Sequence, residues 1–588
     1  MRYTSPSSHL DDIITTDLLV VGAGAGGMST ALFAKRRSLD VIICEKTDMV
    51  GGITSTSGGT IWAPGTSLSK EAGVPDDVEN ARLFLRSVIG ERSGEKLREA
   101  FLEAAPAAIQ ELQDYTDVRL AAATAHPDYL EGPGAAYGGR ALAPLPFDGR
   151  ELGKDFKRIR PPRPEFLAPG GMMVGRNELD SLLKPFCSFK NFRHTLSLFV
   201  RLLSDRKNHT RGTRLVMGNA LVGRLLLSLR KKDIPIFYNW ILIDLIRKEE
   251  KIAGARFKTP SGEKTIFARK GVVLATGGLA TNQALRAKVF PIADLKSLAP
   301  KSNSGDGITV GLRVGAGFSD GAESPALWMP CSARVTRGGK ELLWPHIILD
   351  RAKPGLLAVN GAGKRFVNEA GSYHDFCMGM ISDNKKEPCM PAWLICDRAF
   401  LHKYGLGMVW PGTRRIKRFV RSGYLIQAAT VGKLATAIGI DPTTLEFTVA
   451  RYNALARSGV DTDFGRGSST LNRFNGDDHC KPNPCMRPLG PGPYYAMAVK
   501  PADLATSAGL TGTIDGQITD KNGLPINGLY ACGNDLTSLF KGTYPGPGTT
   551  LGPALVMAWR IANHVAHQSS QVPLSSDIAT HHDRKVSA

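Results

Sequence analysis

The sequence predicts an α/β protein built around a Rossmann-like domain, which is discontinuous in the chain and interrupted by an inserted α+β domain. A glycine-rich turn lies between an apolar strand and a helix pattern at the amino terminus. Two later strands, at residues 271–275 and 528–532, also run into glycine turns. With 588 residues, of which 42% are hydrophobic and 22% charged, the chain is long enough for two or three folded domains.

The amino-terminal βαβ unit has the pattern of a dinucleotide site. Residues 17–21 form an apolar strand, GAGAGG follows, and a helix pattern leads to a second strand that ends near Glu45. Glycines at such a turn let backbone N–H groups approach a pyrophosphate, and the terminal acid accepts hydrogen bonds from a ribose. The nucleotide contacts predicted from this unit are Gly22, Gly24, Ala25, Gly26, Gly27, Glu45 and Lys46.

A second loop rich in glycine and hydroxyl groups, residues 49–65, follows this unit. It suits an extended dinucleotide that stays bound, and the alternative is a flexible surface loop. The later glycine turns would converge on the same place if their strands lie in one sheet, because ligands gather at the carboxyl ends of parallel strands. The further nucleotide contacts predicted are Gly51, Gly52, Thr54, Ser55, Gly58, Gly59, Ala275, Thr276, Gly277, Gly278, Gly533, Asn534, Asp535, Gly548 and Leu551.

Composition and spacing argue against several classes of function. The formal charge is +20, but the basic residues are scattered and no nucleic-acid-binding motif accompanies them, so we expect no nucleic-acid partner. Nine cysteines without regular spacing, in a chain without a signal peptide, indicate reduced thiols and a cytoplasmic location. No complete set of metal ligands is evident, so no metal site is predicted.

Several segments in chain order resemble the flavoprotein superfamily of fumarate reductase and, within it, the 3-ketosteroid Δ1-dehydrogenases. Besides the glycine turn and Glu45, they are RGTRLVMGNALVGRLL (211–226), GKRFVNEAGSYHDF (363–376), PADLATSAGL (501–510) and TYPGPGTTLGPA (543–554). This resemblance covers most of the chain. It implies an FAD cofactor, a lipophilic ketosteroid-like substrate and an oxidoreductase that desaturates the C1–C2 bond of a 3-ketosteroid or related cyclic ketone.

We expect the domains to alternate along the chain. An FAD-binding domain is predicted over residues 1–300 and again over 490–568, with a catalytic, substrate-capping domain inserted at 301–489. Residues 569–588 are polar and are predicted to form a disordered tail. No second glycine motif of the dinucleotide type follows a strand, so electrons are expected to leave to an external acceptor such as a quinone.

The loop around Tyr544 is predicted to hold a ketone oxygen. Pro545 restricts Tyr544 to an extended backbone, so a stiff loop presents the phenol. Gly548 can offer a backbone N–H at the first turn of the last helix, and the hydroxyl and amide together would form an oxyanion hole. The resemblance implies that Tyr373 takes the proton from the α-carbon and that Tyr129 eases the ionisation of Tyr373.

Two of these roles have a rival in the sequence. His374 is adjacent to Tyr373 and titrates near neutrality, so it could act as the base. Tyr137 lies in the same lengthened loop as Tyr129 and could be the supporting tyrosine. The sequence leaves both alternatives open.

Other functions and one surface also stay open. A 3-ketosteroid Δ4-dehydrogenase would share the fold and most glycines, a fumarate-reductase-type enzyme would need arginines to clamp two carboxylates, and a non-enzymatic flavoprotein would not need the tyrosines. Residues 189–207 have apolar side chains at helical spacing among basic ones. That pattern fits a helix packed on the protein core, and it also fits a helix that touches a membrane surface.

Overall fold

The structure is a computed structural model that describes most of the chain. The predicted tail, residues 569–588, lies outside the described residues, as do residues 1–13. Within residues 14–568, the description leaves out 165–166, 169–170, 176–177, 179–180, 183–186, 293–294, 337 and 348–349.

The strands of the described residues form two large sheets and three small ones. They are β1 (Ile14–Val21), β2 (Val41–Glu45), β3 (Ile61–Trp62), β4 (Leu120–Ala122), β5 (Ala141–Pro144), β6 (Phe147–Asp148), β7 (Arg214–Leu215), β8 (Ile236–Tyr238), β9 (Ile241–Lys248), β10 (Lys251–Thr259), β11 (Gly262–Leu274), β12 (Lys296–Ser297), β13 (Phe318–Ser319), β14 (Ala326–Val335), β15 (Glu341–Pro345), β16 (Leu356–Val359), β17 (Ala392–Asp397), β18 (Ile426–Ala428), β19 (Tyr494–Thr506), β20 (Gly509–Leu510), β21 (Gln517–Thr519) and β22 (Pro525–Ala531).

The α-helices of the described residues cover the sheets. They are α1 (Ala25–Arg36), α2 (Ser67–Glu71), α3 (Val78–Ile89), α4 (Glu95–Tyr115), α5 (Phe189–Asp205), α6 (Met217–Lys231), α7 (Gln283–Val289), α8 (Asp306–Arg313), α9 (Tyr373–Asp383), α10 (Arg398–Tyr404), α11 (Ile416–Arg421), α12 (Val431–Ala437), α13 (Pro442–Ser458), α14 (Thr470–Asn475) and α15 (Leu551–His567).

The first sheet has eight strands, in the order β21-β22-β10-β11-β1-β2-β8 with β9 paired to β10. Its strands β8, β2, β1, β11 and β22 run parallel to one another. The register pairs Val21 with both Cys44 and Leu274, and it pairs Leu274 with Ala531. The parallel strands therefore end at one edge of the sheet, and the glycine turns that follow them meet there.

Two glycines allow α1 to pack tightly against this edge. Gly22 has φ +106°, and a Cβ there would lie 2.2 Å from the carbonyl oxygen of Ala275. A Cβ on Gly27 would lie 2.0 Å from the carbonyl oxygen of Gly22. Larger residues would push the helix and the strand apart, which is why this turn is rich in glycine.

The second sheet is built around the long strand β19. Its order is β15-β14-β19-β17-β16, and β12 and β18 also pair with β19. The register pairs Ala326 with Thr506 at one end of β19 and Asp397 with Tyr494 at the other. The sequence predicted a return to the first domain at about residue 490. The strand that follows that point belongs to the second sheet, and only β21 and β22 rejoin the first.

Helix α5 has two apolar faces. Leu198 and Leu202 are buried against neighbouring residues. Phe189 and Leu203, by contrast, are 79% and 68% exposed. One face of the helix thus packs on the protein, as the first alternative for residues 189–207 expected, and contact of the exposed face with a membrane stays a prediction.

Candidate active site

A cavity of about 920 Å³ lies at the carboxyl edge of the first sheet and extends to the second sheet. Its lining combines the glycine turns after β1, β11 and β22 with residues 52–60 and 547–551. It also includes side chains on or beside β14, β15 and β19. The nucleotide loops and the predicted catalytic residues therefore share one space.

Most of the predicted nucleotide contacts lie in the wall of this cavity. They are Gly22, Gly24, Ala25, Gly26, Glu45, Lys46, Gly52, Thr54, Ser55, Gly58, Gly59, Ala275, Thr276, Gly277, Gly533, Asn534, Gly548 and Leu551.

Four predicted contacts lie behind the wall instead. A Cβ on Gly51 would lie 1.9 Å from Ser55 Oγ, and a Cβ on Gly278 would lie 2.3 Å from Thr506 Oγ1. Asp535 is fully buried and accepts hydrogen bonds from the N–H groups of Thr276, at 2.5 Å, and Gly278, at 2.9 Å. These three residues and Gly27 shape the loops that line the cavity, and they do not line it themselves.

Glu45 fixes the first turn and keeps room for a ligand. Its Oε2 accepts the N–H of Ala23 at 2.9 Å, and its Oε1 accepts the N–H and the hydroxyl of Thr47, both at 2.9 Å. A carboxylate has about four lone-pair sites, so one of them can still accept a ribose hydroxyl. Lys46 is bound to Asp306 at 2.7 Å and also lines the cavity.

The residues present fit an extended dinucleotide such as FAD. The hydroxyl of Ser55 is buried in the cavity wall and has no hydrogen-bond partner within the described residues. Helices α1 and α15 both begin at the cavity, and their cap residues, Gly24 and Thr550, make no side-chain hydrogen bond to the helix. The N–H of Ala25 at the start of α1 donates to Thr54 Oγ1 at 3.3 Å, and the remaining N–H groups of such helix amino termini bind phosphate and other anions. Trp240 adds an aromatic wall near Glu45 that the sequence analysis missed.

Three tyrosines meet in the wall of the cavity near the second sheet. Tyr373 Oη donates a hydrogen bond to Tyr544 Oη at 2.8 Å. Tyr129 Oη donates to Tyr373 Oη at 3.4 Å, which is long for a hydroxyl pair. The centroids of the three rings lie 5.4 Å apart in each pair. The structure thus brings together three residues that are separated by hundreds of positions in the sequence.

Burial decides the charge state of two of these phenols. Tyr373 and Tyr544 are 9% and 5% exposed. Burial and the two neighbouring phenols raise the pKa of Tyr373 well above its usual value near 10. Burial also raises the pKa of Tyr544, although its hydrogen bond with Tyr373 acts in the opposite direction. At neutral pH both hydroxyls keep their protons. Tyr129 is among the causes that raise the pKa of Tyr373, and its expected part in the ionisation of Tyr373 stays a prediction.

His374 faces a different environment from its neighbour. Its Nδ1 accepts the backbone N–H of Trp328 at 3.2 Å, and the ring is buried. Burial lowers the pKa of His374 to about 4, so the ring is neutral at physiological pH. His374 is not among the residues that line the cavity, whereas Tyr373 is.

The loop that carries Tyr129 is held by a buried carboxylate. Asp128 accepts hydrogen bonds from Trp62 Nε1 at 2.8 Å and from the guanidinium of Arg140 at 2.6 Å. The N–H of Tyr129 donates to the carbonyl oxygen of Pro545 at 2.7 Å, so this loop is tied to the loop of Tyr544. Tyr137 is 66% exposed and lies outside the cavity lining.

Gly548 lies in a constrained turn before α15. It has φ +96°, and a Cβ there would lie 2.5 Å from the carbonyl oxygen of Thr60. Its carbonyl oxygen accepts the N–H groups of Trp62 and Gly552 at 3.1 and 3.0 Å. Its own N–H makes no hydrogen bond within the described residues, and the residue lines the cavity. The last helix begins at Leu551, so Gly548 precedes its first turn and is not part of it.

The rest of this part of the cavity is largely apolar. These residues could not be predicted from the sequence, because they lie on or beside different strands and share no motif. Those that pack in one cluster with the tyrosines are Leu298, Met329, Ile347, Leu504 and Ala505, and Trp344 also lines the cavity.

A further wall of the cavity is the loop of residues 404–411. A buried polar network holds it: the N–H of Gly407 donates to Asp350 at 3.3 Å, and the N–H of Met408 donates to Tyr424 Oη at 3.0 Å. His346 joins the two ends, because it contacts Asp350 at 2.5 Å and reaches Tyr424 through a serine hydroxyl. No sequence motif marked this network.

Two absences concern the described residues only. No helix there is both long and apolar enough to cross a bilayer. Among the same residues, no group of three or more His, Cys, Asp or Glu side chains is arranged to hold a metal ion.

Comparison with known proteins gives a consistent result. A family profile described as "FAD binding domain" matches residues 17–551. The chain is 35% identical to a 4-oxocyclohex-2-ene-1-carboxylate 5-dehydrogenase of Sinomonas cyclohexanicum, over 95% of both chains. It is 33% identical to a 3-oxosteroid 1-dehydrogenase of Mycobacterium tuberculosis, over 94% of this chain and 99% of that protein.

A solved structure gives the same picture. It is the 3-ketosteroid Δ1-dehydrogenase of Sterolibacterium denitrificans in complex with 1,4-androstadiene-3,17-dione. The similarity has a TM-score of 0.86 at 32% identity, and it covers 94% of this chain and 99% of that one.

Proposed function

The chain belongs to the FAD-binding-domain family of flavoproteins, and from this premise we propose that it is a dehydrogenase that desaturates the C1–C2 bond of a 3-ketosteroid or a related lipophilic cyclic ketone. The observation that carries the proposal is the buried pair of phenols, Tyr373 and Tyr544, joined at 2.8 Å in the cavity that the nucleotide loops line. FAD, when bound, accepts the hydride that leaves the carbon next to the deprotonated one.

Tyr544 and Gly548 are proposed to bind the ketone oxygen. Tyr544 accepts the hydrogen bond of Tyr373, so its own hydroxyl proton is available to a ligand. Gly548, whose N–H has no hydrogen-bond partner within the described residues, also lines the cavity. Two donors aimed at one oxygen stabilise the negative charge that develops when the neighbouring carbon loses a proton. The high pKa of Tyr544 suits this role, because the hydroxyl must remain a donor.

Tyr373 is proposed to take that proton. A phenol must first be ionised to act as a base, and its proton needs a path out of the buried pair. The hydroxyl of Tyr129 lies 3.4 Å away, and its side chain is only half buried. We assign Tyr129 the role of passing the proton towards solvent, which requires both hydroxyls to turn so that Tyr373 donates to Tyr129 and Tyr129 releases its own proton outward.

The lining of the cavity favours a lipophilic substrate over a dicarboxylate. Apolar side chains surround the tyrosines, and the cations in the lining of the described residues are Lys46, Arg163 and Lys353. Lys46 is paired with Asp306, and Arg163 donates to the carbonyl oxygens of Leu298 and Leu343. A dicarboxylate would need arginines beside the reacting carbons, with guanidinium groups available for bidentate binding of its carboxylates.

The partners of the reaction are also proposals. Electrons would leave to an external acceptor such as a quinone, because the described residues contain one dinucleotide turn of this type. Contact with a membrane surface through residues 189–207 would bring the enzyme close to both a lipophilic ketone and such an acceptor.

An anaerobic reduction experiment tests the substrate class. The yellow holoenzyme is mixed, without oxygen, with a 3-ketosteroid that is saturated at C1–C2, and flavin absorbance is followed. We expect bleaching and a product with a new C1–C2 double bond. 4-Oxocyclohex-2-ene-1-carboxylate and succinate serve as comparison compounds. Bleaching by either of these alone would contradict the steroid proposal, and a C4–C5 double bond in the product would indicate a Δ4-dehydrogenase.

A further inference from the structure

Helix α5 exposes an unusually apolar face. At about 100° per residue, its large exposed side chains fall within an arc of roughly 100° on one side of the helix. Buried Leu198 and Leu202 lie on the other side. Contiguous exposed apolar surface of this kind marks an interaction site. Its members are Phe189, Phe192, Leu196, Phe199, Val200 and Leu203.

The charges around this face are basic. Lys190 and Arg193 are exposed on α5, and Arg206 and Lys207 are exposed just after it. The acidic residue of the helix, Asp205, is buried and bound to Arg150 at 2.5 Å. An apolar helix face with a basic border is typical of helices that lie in the surface of an anionic membrane.

A second basic segment follows the loop of residues 404–411, which lines the cavity. No acidic residue occurs between Tyr404 and Asp441. Within that stretch, the loop that lines the cavity is followed directly by a run of exposed cations, and none of them forms an ion pair with any described residue. They are Arg414, Arg415, Lys417, Arg418 and Arg421.

Each of the two segments contributes an aromatic residue to the cavity lining. Phe199 of α5 and Trp410, just ahead of the basic run, both line it, and they are 37% and 38% exposed. Residues that line a cavity and are also exposed to this extent lie at the opening of the cavity to solvent. We call α5 and residues 410–421 together the mouth surface.

We propose that the mouth surface docks on an anionic lipid bilayer and that the lipophilic ketone enters the cavity from the bilayer, between Phe199 and Trp410. The identity of the ligand that enters the cavity rests on the proposed function, whereas docking on the bilayer does not. The apolar face of α5 would enter the boundary between the headgroups and the acyl chains, and Trp410 would lie at the level of the headgroups. The cations of residues 414–421 would bind the lipid headgroups. A second copy fits less well, because a two-fold contact would bring the basic segments together.

The electrostatic part is tested by vesicle flotation of the holoenzyme. One vesicle set is phosphatidylcholine, and the other contains about one third phosphatidylglycerol. We expect binding to the second set, weakened by salt. The double substitution Arg415→Glu and Lys417→Glu should weaken it at least tenfold, since each basic residue contributes a factor of about five. The matched control, Lys258→Glu with Lys433→Glu, changes two exposed lysines elsewhere and should bind like wild type.

The apolar part needs its own variants. Leu196→Asp with Leu203→Asp should abolish flotation, whereas Phe447→Asp with Leu524→Asp, at exposed positions away from the mouth surface, should leave it unchanged. Light scattering of wild type and variants measures the oligomeric state. Failure of wild type to float would overturn the proposal. So would a dimer that Leu203→Asp dissociates while flotation is unaffected, because that result assigns the face to a second copy.

The route of entry is tested by two forms of one ketosteroid. Presented in water as a cyclodextrin complex, it should bleach wild type and both mouth-surface variants at rates within about twofold, because none of the substituted residues lines the cavity. Presented in anionic vesicles, it should bleach the variants at least tenfold more slowly. Equal rates from vesicles would overturn entry from the bilayer. If wild type floats but neither form bleaches it, the docking stands and the proposed substrate fails.

Discussion

At the scale of single residues, the two buried phenols are suited to different tasks. A hydroxyl that holds a ketone oxygen must keep its proton, and burial ensures this for Tyr544. A base must lose its proton, and the same burial makes this harder for Tyr373. The proposed mechanism therefore needs a path for that proton, and we propose that the half-buried Tyr129, 3.4 Å from Tyr373, supplies it.

The first prediction concerns Tyr544→Phe. The ring still fills its place in the apolar cluster, so we expect a folded, yellow protein. Loss of the hydroxyl removes one donor to the ketone oxygen, and turnover should fall by about 10²–10³-fold. Steady-state kcat with a ketosteroid measures the effect. Tyr137→Phe is the matched control, because Tyr137 is exposed. Wild-type kcat in Tyr544→Phe would remove the assigned role.

The second prediction is the pH dependence of the reduction. Only ionised Tyr373 accepts a proton, and its pKa lies well above 10. Below that pKa the ionised fraction rises tenfold per pH unit, so the rate of anaerobic bleaching should rise with pH and reach no plateau below about pH 10. Stopped-flow absorbance measures it. If His374 were the base, its pKa of about 4 would give a plateau from about pH 5 upwards.

The sequence could predict residues whose role follows from local pattern. Glu45 lies at the end of a strand in a βαβ unit, and its position in the cavity wall follows from that unit alone. The choice between Tyr129 and Tyr137 depended on long-range contacts. Asp128 binds Trp62 and Arg140, and these bonds fold the loop so that Tyr129 faces the cavity. Nothing near Tyr129 in the sequence specifies that arrangement.

At the scale of elements, the loop between β22 and α15 is shaped by its close neighbours. Gly548 lies against the backbone at Thr60 and Trp62, and the carbonyl oxygen of Pro545 accepts the N–H of Tyr129. The loop thus joins two other segments of the active site. Its rigidity comes from these contacts as well as from its prolines.

The third prediction is Gly548→Ala. The new methyl group would lie 2.5 Å from the Thr60 carbonyl oxygen, in a left-handed turn. We expect a loss of about 3 kcal/mol in the free energy of unfolding, together with loss of bound flavin. Gly523→Ala is the control: its φ is +83° but the space around it is open, so only the backbone strain of about 1–2 kcal/mol should appear. Denaturant unfolding measures both. Equal losses would show that the contact with Thr60 is unimportant.

Elements with strong local signals were easier to predict than their pairing. The strands that run into glycine turns were evident from the sequence, and their convergence is found in the first sheet. The place of β19 was not evident, because an apolar strand carries no mark of its partner. Its pairing with β14 and β17 is decided by the packing of the second sheet.

At the scale of the whole molecule, a buried ionic cluster ties distant parts of the second sheet region together. Arg365 binds Glu369 and Asp461, both at 2.8 Å, and Arg466 also contacts Glu369 at 3.2 Å. Glu369 is fully buried. Burial alone would raise the pKa of Glu369, but the two arginines offset this and hold the pKa below its usual value.

The fourth prediction is Glu369→Gln. It leaves two buried arginines without this carboxylate, so the free energy of unfolding should fall by about 3–5 kcal/mol. Because the pKa of Glu369 is lowered in the folded protein, its contribution is present above about pH 4.3 and is lost as the pH falls further. The difference in the free energy of unfolding between wild type and the variant should therefore become smaller at acidic pH. Glu387→Gln, in an exposed pair, should cost at most about 1 kcal/mol.

The first sheet joins strands from both ends of the chain, and this has a consequence for biosynthesis. β1 and β2 leave the ribosome first, but β22 and α15, which complete the cavity wall, are made some 500 residues later. At roughly 5–20 residues per second, the emerging chain waits about 25–100 seconds before it can enclose its cofactor. From the synthesis of β11 until that of β22, the carboxyl end of β11 lacks its parallel neighbour and is open to wrong partners. Growth at low temperature and co-expressed chaperones should therefore raise the yield of yellow protein more than added flavin does.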